Sequence, residues 1–249
     1  MFIKKPPRHE VLASYGSAPG RRLPRRITVT VWNCHKCRHP RWERDFAELD
    51  QQSDLVMLQE LRLSPAVETL LSLPCAAWRM ATSFFSPGRG HACGVATGSA
   101  CAAARVFFLA QEREPVINTH KMMLATVYPI PGGYLLALNV HGINFTRPAA
   151  FARQMEQAGR ALAEFKGPVI MAGDFNCWSR RRRDILYSVT RVAGLTELAF
   201  KPDTRSRHPI HPVDHIFSRG LKIISAQALD GVNSSDHKPL SARFEIEET

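Results

Sequence analysis

Short apolar runs of strand length recur along the chain, and several of them end on polar side chains. One run occupies residues 169–171, and Gly173 then allows the backbone to turn sharply out of the predicted sheet. Asp174 and Asn176 follow, and residues two apart on an extended chain point the same way. The pattern predicts a buried strand that presents a carboxylate and an amide together at its end. A plain turn is the alternative, since Gly, Asp and Asn are ordinary turn residues.

The same analysis predicts the other elements. Apolar and β-branched runs predict strands at about 27–33, 54–60, 77–83, 92–97, 103–109, 122–128, 134–141, 213–218, 221–229 and 239–246. Apolar positions at helical spacing predict helices at about 40–51, 66–73, 148–165 and 179–192, and the buried stripe of the third is Phe151, Met155, Leu162 and Phe165. No repeat and no change in composition interrupts 27–249, so these elements are predicted to form one domain.

Polar side chains end five of the predicted strands. They are Asn33, Glu60, His141, Asp174 with Asn176, and Asp214 with His215, and Ser235-Asp236-His237 immediately precedes the last strand. Buried carboxylates are costly unless they are paired or bound to a cation. Several of them at one rim therefore indicate a metal ion or a proton-transfer role.

Composition narrows the setting of the protein. Of the 249 residues 45% are hydrophobic, which suffices for a sizeable core, and no stretch has the eighteen apolar residues of a membrane span. The N-terminus lacks the apolar segment of a secretory signal. Six cysteines in such a chain favour a reduced environment over a disulfide framework, so we expect a cytoplasmic protein.

The net charge of +11 is concentrated near the N-terminus. Residues 1–26 hold seven basic groups and one acid, which gives +6 and leaves +5 for the rest of the chain. This segment is rich in proline and lacks apolar periodicity, so we expect a partly disordered basic arm that precedes the folded domain at 27–249. The arm suits contact with an anionic surface, either nucleic acid or membrane, or is a solubilising tail.

Six segments, taken in order, resemble the endonuclease/exonuclease/phosphatase superfamily, which includes pancreatic deoxyribonuclease, abasic-site endonucleases, inositol-phosphate 5-phosphatases and bacterial sphingomyelinases. They are Val31-Trp32-Asn33, Leu58-Gln59-Glu60, Val140-His141, Gly173-Asp174-Phe175-Asn176, Val213-Asp214-His215-Ile216 and Ser235-Asp236-His237. Their order makes them far more specific together than singly. Arg113-Glu114-Pro115, Val127-Tyr128-Pro129, 141–145 and 167–183 look like the bacterial YafD-like branch.

The resemblance implies a fold and a type of reaction. The fold is α+β, a four-layer α/β/β/α sandwich in which two mainly antiparallel sheets pack face to face between outer helices. The reaction is hydrolysis of a phosphoester by the domain at 27–249 with a divalent cation, usually Mg²⁺, for which Mn²⁺ can substitute.

The resemblance also implies roles for the metal-binding and water-activating residues. Glu60 is expected to bind the metal with help from Asn33 and Asp236, because Mg²⁺ prefers hard oxygen donors and keeps several waters. Asp174 is expected to orient and deprotonate the attacking water. Asn176 would hold that water or the phosphate.

Two histidines complete the implied site. His237, oriented by Asp214, is expected to stay protonated and to donate to a phosphoryl oxygen. His141 is expected to hold the scissile phosphate or to act near the leaving group. His215 is adjacent to Asp214, and strand alternation directs it to the opposite face, so it is left out of the site.

Each assignment has a structural alternative. Asn33 could satisfy backbone groups at a strand end, and Glu60 could pair with Arg62 at the surface. Asp236 and His237 could cap a helix or a turn.

A run of four arginines follows the strand of Asp174 on a predicted helix. Four consecutive residues cover the whole circumference of a helix, so only one or two can face the cleft. Arg180 and Arg183 are the candidates for phosphate contacts, and Arg89 in the predicted turn at 86–90 is another. A solvated helix face is the alternative.

Cys34 and Cys37 have the spacing of the first half of a zinc knuckle. No second pair follows at ordinary spacing, so neither a zinc site nor a redox role is favoured. Many members of the superfamily have Gly-rich sequence after the residue equivalent to Asn33, so this segment is a departure.

The function predicted from these segments is a metal-dependent phosphodiesterase, a nuclease acting on DNA or RNA as a monomer. The alternative within the fold is a phosphatase or phosphodiesterase acting on inositol phosphates or phospholipid headgroups, although the chain lacks a long aromatic-tipped apolar hairpin for a membrane. A non-catalytic nucleic-acid-binding module would have damaged motifs, and here all the expected residue types are present.

Overall fold

A computed structural model describes residues 3–110, 112–114 and 120–247. Residues 1 and 2 of the predicted arm, and Pro115 of the segment Arg113-Glu114-Pro115, lie outside the described residues. In the described part, two sheets pack face to face and helices cover their outer faces. This arrangement is the predicted four-layer sandwich.

The described residues form fifteen strands and four α-helices. The strands are β1 (Leu12–Tyr15), β2 (Arg26–Asn33), β3 (Leu55–Arg62), β4 (Ala77–Phe85), β5 (Ala92–Ser99), β6 (Arg105–Leu109), β7 (Met123–Ile130), β8 (Gly133–His141), β9 (Val169–Asp174), β10 (Thr196–Glu197), β11 (Arg207–His208), β12 (His211–Pro212), β13 (Asp214–Arg219), β14 (Lys222–Ala228) and β15 (Leu240–Glu245). The helices are α1 (Trp42–Gln51), α2 (Pro65–Leu71), α3 (Pro148–Glu164) and α4 (Arg180–Val192), and short 3₁₀ turns lie at Arg8–Glu10 and His35–Cys37.

The strands form two main sheets and one small hairpin. The first sheet has the order β1-β4-β5-β3-β2-β15-β14, and the second has the order β10-β13-β9-β8-β7-β6. Only β2 with β3 and β8 with β9 run parallel among the described neighbours within these sheets. The separate hairpin pairs β11 with β12.

Side-chain alternation along the strands separates the core into layers. Val29 and Val31 of β2 meet Ile170 and Ala172 of β9 in the cluster between the sheets. Trp32, one position further along β2, packs on the outer face of its sheet with residues of α1 and α2. This period of two is the physical reason that one strand serves both layers.

Helices α3 and α4 cover the outer face of the second sheet. Pro148 begins α3, and Phe151, Met155 and Leu162 are buried as the spacing predicts. Phe165 lies just beyond the helix in an extended conformation and is only partly buried, because α3 ends at Glu164. None of the described helices is long and apolar enough to cross a membrane.

Several strands differ from the predicted pattern. β7 ends at Ile130 and β8 begins at Gly133. The hairpin turn is therefore much tighter than the turn predicted between 128 and 134. The pairs β11–β12 and β10–β13 were not predicted, because strands of two residues are too short for an alternating pattern.

The predicted N-terminal arm contains an edge strand. β1 pairs antiparallel with β4, from Leu12 opposite Ala81 to Tyr15 opposite Trp78. Val11, which precedes β1, and Leu23, which lies eight residues after its end, are both buried. This part of the segment differs from the extended arm expected from composition, because four residues suffice to continue a sheet although they show no periodicity. The division of the chain at residue 27 stays a prediction.

Candidate active site

Three neighbouring strands of the second sheet meet at one edge. β8 and β9 run parallel and place His141 beside Asp174, and β13 runs antiparallel to β9 and places Asp214 beside Asp174. All three residues are buried. The last residues of two strands and the first residue of a third are therefore neighbours.

Gly173 allows this close arrangement. Its φ is +143°, and a Cβ atom at this position would lie 1.9 Å from the carbonyl oxygen of Val140 on β8. A larger residue would push β9 away from β8 at the position before Asp174. The glycine of the sequence motif therefore has a steric function.

The first sheet brings Asn33 and Glu60 to the same edge. Asn33 ends β2, whereas Glu60 lies in β3 where its register with β5 shifts between Leu58 and Leu61. Glu60 has a φ of +52°, and bulges of this kind redirect a side chain. Glu60 consequently lines the cavity, whereas its neighbour Gln59 is fully buried.

These strand ends border a cavity of about 570 Å³. It is lined by six of the residues predicted from sequence, namely Asn33, Glu60, Asp174, Asn176, Asp236 and His237. His141 and Asp214 are buried behind the lining. His141 forms a hydrogen bond with Lys121, and Asp214 forms one with His237, and both partners line the cavity. The structure thus brings together the eight residues that were predicted to bind metal or to act in catalysis.

Asp174 is oriented by three N–H donors. The backbone N–H of Asn176 donates to Oδ1 at 2.9 Å. The side-chain amides of Asn33 and Asn176 donate to Oδ2 at 3.0 and 3.1 Å. Asn176 has a φ of +49°, which lets its backbone and side chain both turn back to Asp174. The carboxylate is thus fixed in place at the end of β9.

Asp214 and His237 form a buried pair. Nδ1 of His237 lies 2.8 Å from Oδ2 of Asp214. Burial opposes a charge on the imidazole, but Asp214 and then Asp174 outweigh it and raise the pKa of His237 to about 10. Nε2–H remains for another acceptor, and the Trp32 indole donates to the His237 carbonyl at 3.0 Å, which fixes the segment.

Glu60 is surrounded by basic side chains. Its carboxylate lies 3.4 Å from Nζ of Lys121, 3.6 Å from Nε2 of His141 and 3.8 Å from Nζ of Lys36. Burial would raise the pKa of Glu60, but the charge of Lys121, helped by that of Lys36, lowers it to about 2. Burial and Lys121 lower the pKa of His141 to about 3, so its Nε2 accepts a hydrogen bond from Lys121 at 2.9 Å.

Asp236 lies at the outer side of the cavity. Its carboxylate is 2.9 Å from Nδ1 of His35, and 54% of its side chain is exposed. The preceding Ser235 hydroxyl donates to the Asn33 carbonyl at 2.6 Å. The Ser-Asp-His segment is thus attached to the end of β2.

The oxygen donors of this edge suit a hard divalent cation. Glu60, Asn33 and Asp236 provide carboxylate and amide oxygens on the wall of one cavity. Among the described residues, no three His, Cys, Asp or Glu side chains form a preformed metal-binding cluster. A cation such as Mg²⁺ does not require one, because it binds through one or two carboxylates together with waters and substrate phosphate. The residues present therefore fit such an ion.

The three arginines predicted to bind substrate do not line this cavity. Arg89 and Arg180 are exposed, and Arg183 contacts His211 at 2.9 Å. The arginine of the run that approaches the site is Arg182, which is fully buried and donates to the carbonyl of Asn176 at 2.8 Å. Helix phase decides this, because Ser179 caps α4 and turns the third arginine inward.

Sequence analysis missed several other residues of the cavity wall. They are His35, Lys121, Asn144, Phe145, Trp178, His208 and Pro209. Lys36 was also missed, and it approaches Glu60 because His35, Lys36 and Cys37 all have positive φ. The available signal was the departure from Gly-rich sequence after Asn33, but no periodic pattern shows where a lysine in a loop will point.

His215 lies on the other side of β13, as alternation predicts. Its Nδ1 is 2.5 Å from Glu197 and its Nε2 is 3.1 Å from Sγ of Cys177. Glu197 also accepts from Arg205 at 2.9 Å, and Arg205 donates to the Asp214 carbonyl at 3.2 Å. This buried network supports the backbone beneath the Asp214–His237 pair.

Replacing Glu197 with glutamine should destabilise the fold at pH 7 by about 3 kcal/mol, the lower end of the range for breaking a buried ion pair. Burial alone would raise the pKa of Glu197, but His215, Tyr187 and Arg205 lower it to about 2. Since the folded pKa is below the unfolded value of about 4.3, this contribution is present above pH 4.3 and is lost as the pH falls toward 2.

Urea unfolding of the wild type and Glu197→Gln at pH 7, 4 and 3 measures this effect. The difference in unfolding free energy between them should shrink in acid. Glu43→Gln, at an exposed position of α1, is the matched control and should be neutral. A difference that stays constant with pH would show that Glu197 does not titrate with a lowered pKa.

All six cysteines are free thiols in the structure. Cys34 is buried and Cys37 is partly exposed, and no described His, Cys, Asp or Glu cluster completes a metal site around them. Burial raises the pKa of the Cys34 thiol well above its usual value. A zinc site at this pair receives no support from the described residues.

Comparison with known proteins shows the family to which the chain is similar. The model of the endonuclease/exonuclease/phosphatase family matches residues 30–237. A UPF0294 protein from Yersinia pseudotuberculosis is 37% identical over 223 residues, which are 88% of this chain and 84% of that protein. This relative confirms the predicted similarity to the bacterial YafD-like branch.

Solved structures show the same fold. An endonuclease/exonuclease/phosphatase family protein from Leptotrichia buccalis superposes with a TM-score of 0.70 at 13% identity, over 88% of this chain and all of that one (100%). ANGEL2, a 2′,3′-cyclic phosphatase in complex with adenosine-2′,3′-vanadate, superposes with a TM-score of 0.63 at 18% identity, over 90% and 96% of the two chains. From the family match and the Yersinia relative, the chain belongs to the endonuclease/exonuclease/phosphatase family, whose members are hydrolases that act on phosphoesters.

Proposed function

We propose that the protein is a divalent-metal-dependent phosphodiesterase that hydrolyses nucleic acid. The observation that supports this most directly is the convergence of Asp174, the Asp214–His237 pair and Glu60 on one cavity. A fixed carboxylate, a cationic imidazole and a site for a hard cation can supply a general base, a transition-state donor and a metal ion, and each of these accelerates phosphoester hydrolysis.

Asp174 is the proposed general base. It lies at the cavity wall, and its three N–H donors hold both oxygens while leaving one lone-pair site, on Oδ1, free for a water molecule. Asn33 and Asn176 are thus positioning residues for Asp174 in this geometry. The base therefore need not reorganise when the water attacks.

His237 is the proposed donor to the phosphoryl oxygen. Its Nδ1 is held by Asp214, and its raised pKa of about 10 keeps the ring cationic at neutral pH. A preorganised cation at the place where negative charge develops favours the transition state over the ground state. The buried Asp214 orients the ring and stabilises its charge.

Glu60, Asn33 and Asp236 would hold the metal ion, which we propose to be Mg²⁺ with Mn²⁺ as a substitute. Such an ion supplies neutralisation of phosphoryl charge and polarisation of an oxygen when bound. Lys121 and Lys36 lie near Glu60, and their positive charges attract an anionic substrate to that end of the cavity. His141 orients Lys121 by accepting its hydrogen bond.

Nucleic acid is the proposed substrate because the whole chain is basic and the cavity sets cationic side chains beside its carboxylates. The cavity has lysine and histidine side chains on its wall, and the chain has a net charge of +11. ANGEL2, which shares the fold, is a 2′,3′-cyclic phosphatase, so nucleotide cyclic phosphates belong in a substrate screen.

The screen compares single-stranded and duplex DNA, RNA, abasic DNA, adenosine-2′,3′-cyclic phosphate and inositol phosphates, each with Mg²⁺, Mn²⁺ or EDTA. We expect metal-dependent cleavage of at least one polynucleotide. Turnover confined to inositol phosphates would move the substrate assignment to the alternative class. No metal-dependent turnover of any phosphoester would contradict the proposed function.

The substitution Glu60→Gln should weaken the activation by metal. We expect the Mg²⁺ concentration for half-maximal activity to rise at least about tenfold, since even outer-shell changes cost about 10- to 100-fold in metal affinity. The measurement is initial rate against Mg²⁺ concentration. Glu68→Gln, at an exposed position of α2, is the control and should follow the wild-type curve. An unchanged Mg²⁺ curve in Glu60→Gln would remove Glu60 from the metal site.

A further inference from the structure

Phe145 is an exposed aromatic side chain on the wall of the catalytic cavity. It is 75% exposed, although a phenylalanine would ordinarily bury its ring. Its φ is +51°, a left-handed conformation that is rare for a bulky residue. Such strain persists only where the surrounding structure fixes it, and it occurs often at sites that bind ligands.

Asn144 holds Phe145 in this conformation. Its side-chain oxygen accepts from the backbone N–H of Phe145 at 2.9 Å and from the indole N–H of Trp178 at 3.0 Å. The backbone N–H of Asn144 donates to the buried Glu114 at 3.1 Å, and Glu114 lies 3.8 Å from Lys121. Asn144 therefore contacts two aromatic residues of the cavity wall through its side chain, and it is linked to Lys121 through its backbone N–H and Glu114.

Arg182 fixes the backbone on both sides of this loop. Its guanidinium donates to the carbonyl of Ile143, and to the carbonyl and hydroxyl of Thr146 at 3.4 and 3.3 Å. The guanidinium carbon also lies 5.6 Å from the centre of the Trp178 ring. Phe145 thus extends from a loop whose backbone is held at both ends, which lowers the entropic cost of presenting its ring to a ligand.

We propose that Phe145, with Trp178 on the same cavity wall, is a stacking subsite for a nucleobase adjacent to the scissile phosphate. This inference rests on the proposed function and specifies its substrate as a polynucleotide whose base is unstacked from its neighbours. Every nucleobase has a flat π-face, so an aromatic ring binds it without sequence preference while basic side chains hold the phosphate. The phosphate would lie near Lys121, His237 and the metal-binding residues of the same cavity.

The surroundings of Phe145 favour a base over a lipid chain. Asn144, His208 and Lys121 share the cavity wall with the two aromatic residues, so polar groups interrupt its apolar surface. An acyl chain needs a continuous apolar groove, whereas stacking needs one ring face with polar groups at its edge. The net charge of +11 suits a polyanion.

The test is a double-mutant cycle between the ring and the base. The substrates are single-stranded oligonucleotides with one phosphodiester among phosphorothioate linkages, in which the nucleoside on one side of that linkage is normal or is a tetrahydrofuran abasic residue. The enzymes are wild type, Phe145→Ala, Phe145→Leu and Tyr134→Ala. Tyr134 is another exposed aromatic residue, at the opposite end of β8 from His141, and is the matched control.

Wild-type kcat/KM should fall about 5- to 100-fold when the stacked base is removed, the range expected for stacking of one base on an aromatic ring. Phe145→Ala should lose a similar factor on the normal substrate, mainly through KM, and should show little further loss on the abasic one. Phe145→Leu should resemble Phe145→Ala, because it keeps apolar bulk and lacks the ring face. Tyr134→Ala should behave as the wild type.

The stacking subsite would be overturned if Phe145→Ala kept the wild-type dependence on the base. If that variant also lost binding to anionic phospholipid vesicles, Phe145 would be a lipid contact. A wild-type enzyme that cleaves no oligonucleotide would contradict the proposed function itself. Thermal unfolding of Phe145→Ala should match the wild type, because the ring is exposed.

Discussion

Replacing Asp174 with asparagine is expected to lower kcat for phosphodiester hydrolysis by about 10³, within the range for a positioned general base. Asparagine removes the proton acceptor. It also places an NH₂ group opposite either the Asn176 backbone N–H or the Asn33 amide, both of which donate to the carboxylate in the wild type. The measurement is kcat and KM on a labelled oligonucleotide at saturating Mg²⁺, with thermal unfolding to verify that the variant is folded.

Asp184→Asn is the matched control for this change. Asp184 is an exposed residue of α4, ten positions after Asp174, and its substitution should leave kcat unchanged. A folded Asp174→Asn variant that retains wild-type kcat would exclude Asp174 as the base. A rise in KM with an unchanged kcat would instead indicate a residue that only binds substrate.

Replacing His237 with glutamine is expected to lower kcat by about 10² to 10³, the loss typical of removing one preorganised transition-state donor. The cause is the loss of a cationic donor that Asp214 holds at 2.8 Å. Asp214→Asn should lower kcat by a similar factor, because it removes the group that keeps the ring charged and oriented. The double variant should be no slower than the slower single variant, since the pair acts as a unit.

His9→Gln serves as the control for His237, because 80% of the His9 side chain is exposed. Multiplicative losses in the double variant would show that Asp214 and His237 act independently. Equal activity of His237→Gln and wild type would remove the imidazole from the reaction altogether. Both results can be read from kcat on the same oligonucleotide.

The sequence allowed the fold and the inner site to be predicted because their signals are local. Val29, Val31 and Trp32 follow the alternation of a strand with two buried faces, and they pack as that alternation requires. Asp174 and Asp214 end or begin strands, and the sheet places them side by side. Alternation also predicted that His215 points away from the site, and His215 pairs with Glu197 on the other side of β13.

Other parts of the site depend on features that a periodic pattern does not contain. Glu60 lines the cavity through a bulge and a positive φ, and strict alternation has no place for either. Lys121 reaches Glu60 although 61 positions separate them in the chain. Arg182 is buried where Arg180 and Arg183 were predicted to face the substrate, because the capping serine sets the phase of α4.

Phe145 shows a further limit of sequence patterns. An isolated aromatic residue in a loop ordinarily indicates a small local core, and here the ring is exposed because Asn144 and Arg182 fix the backbone around it. The β1 strand is a comparable case, since its pairing with β4 depends on an open sheet edge and not on a pattern of its own.

The most direct test of this account is the cleavage of a labelled single-stranded oligonucleotide by wild type and Asp174→Asn, each with Mg²⁺ and with EDTA. We expect cleavage by the wild type with Mg²⁺, none with EDTA, and a rate about 10³ lower for Asp174→Asn. Cleavage by the wild type that is independent of metal, or equal rates for the two proteins, would contradict the proposal that this cavity is a metal-dependent phosphodiesterase site.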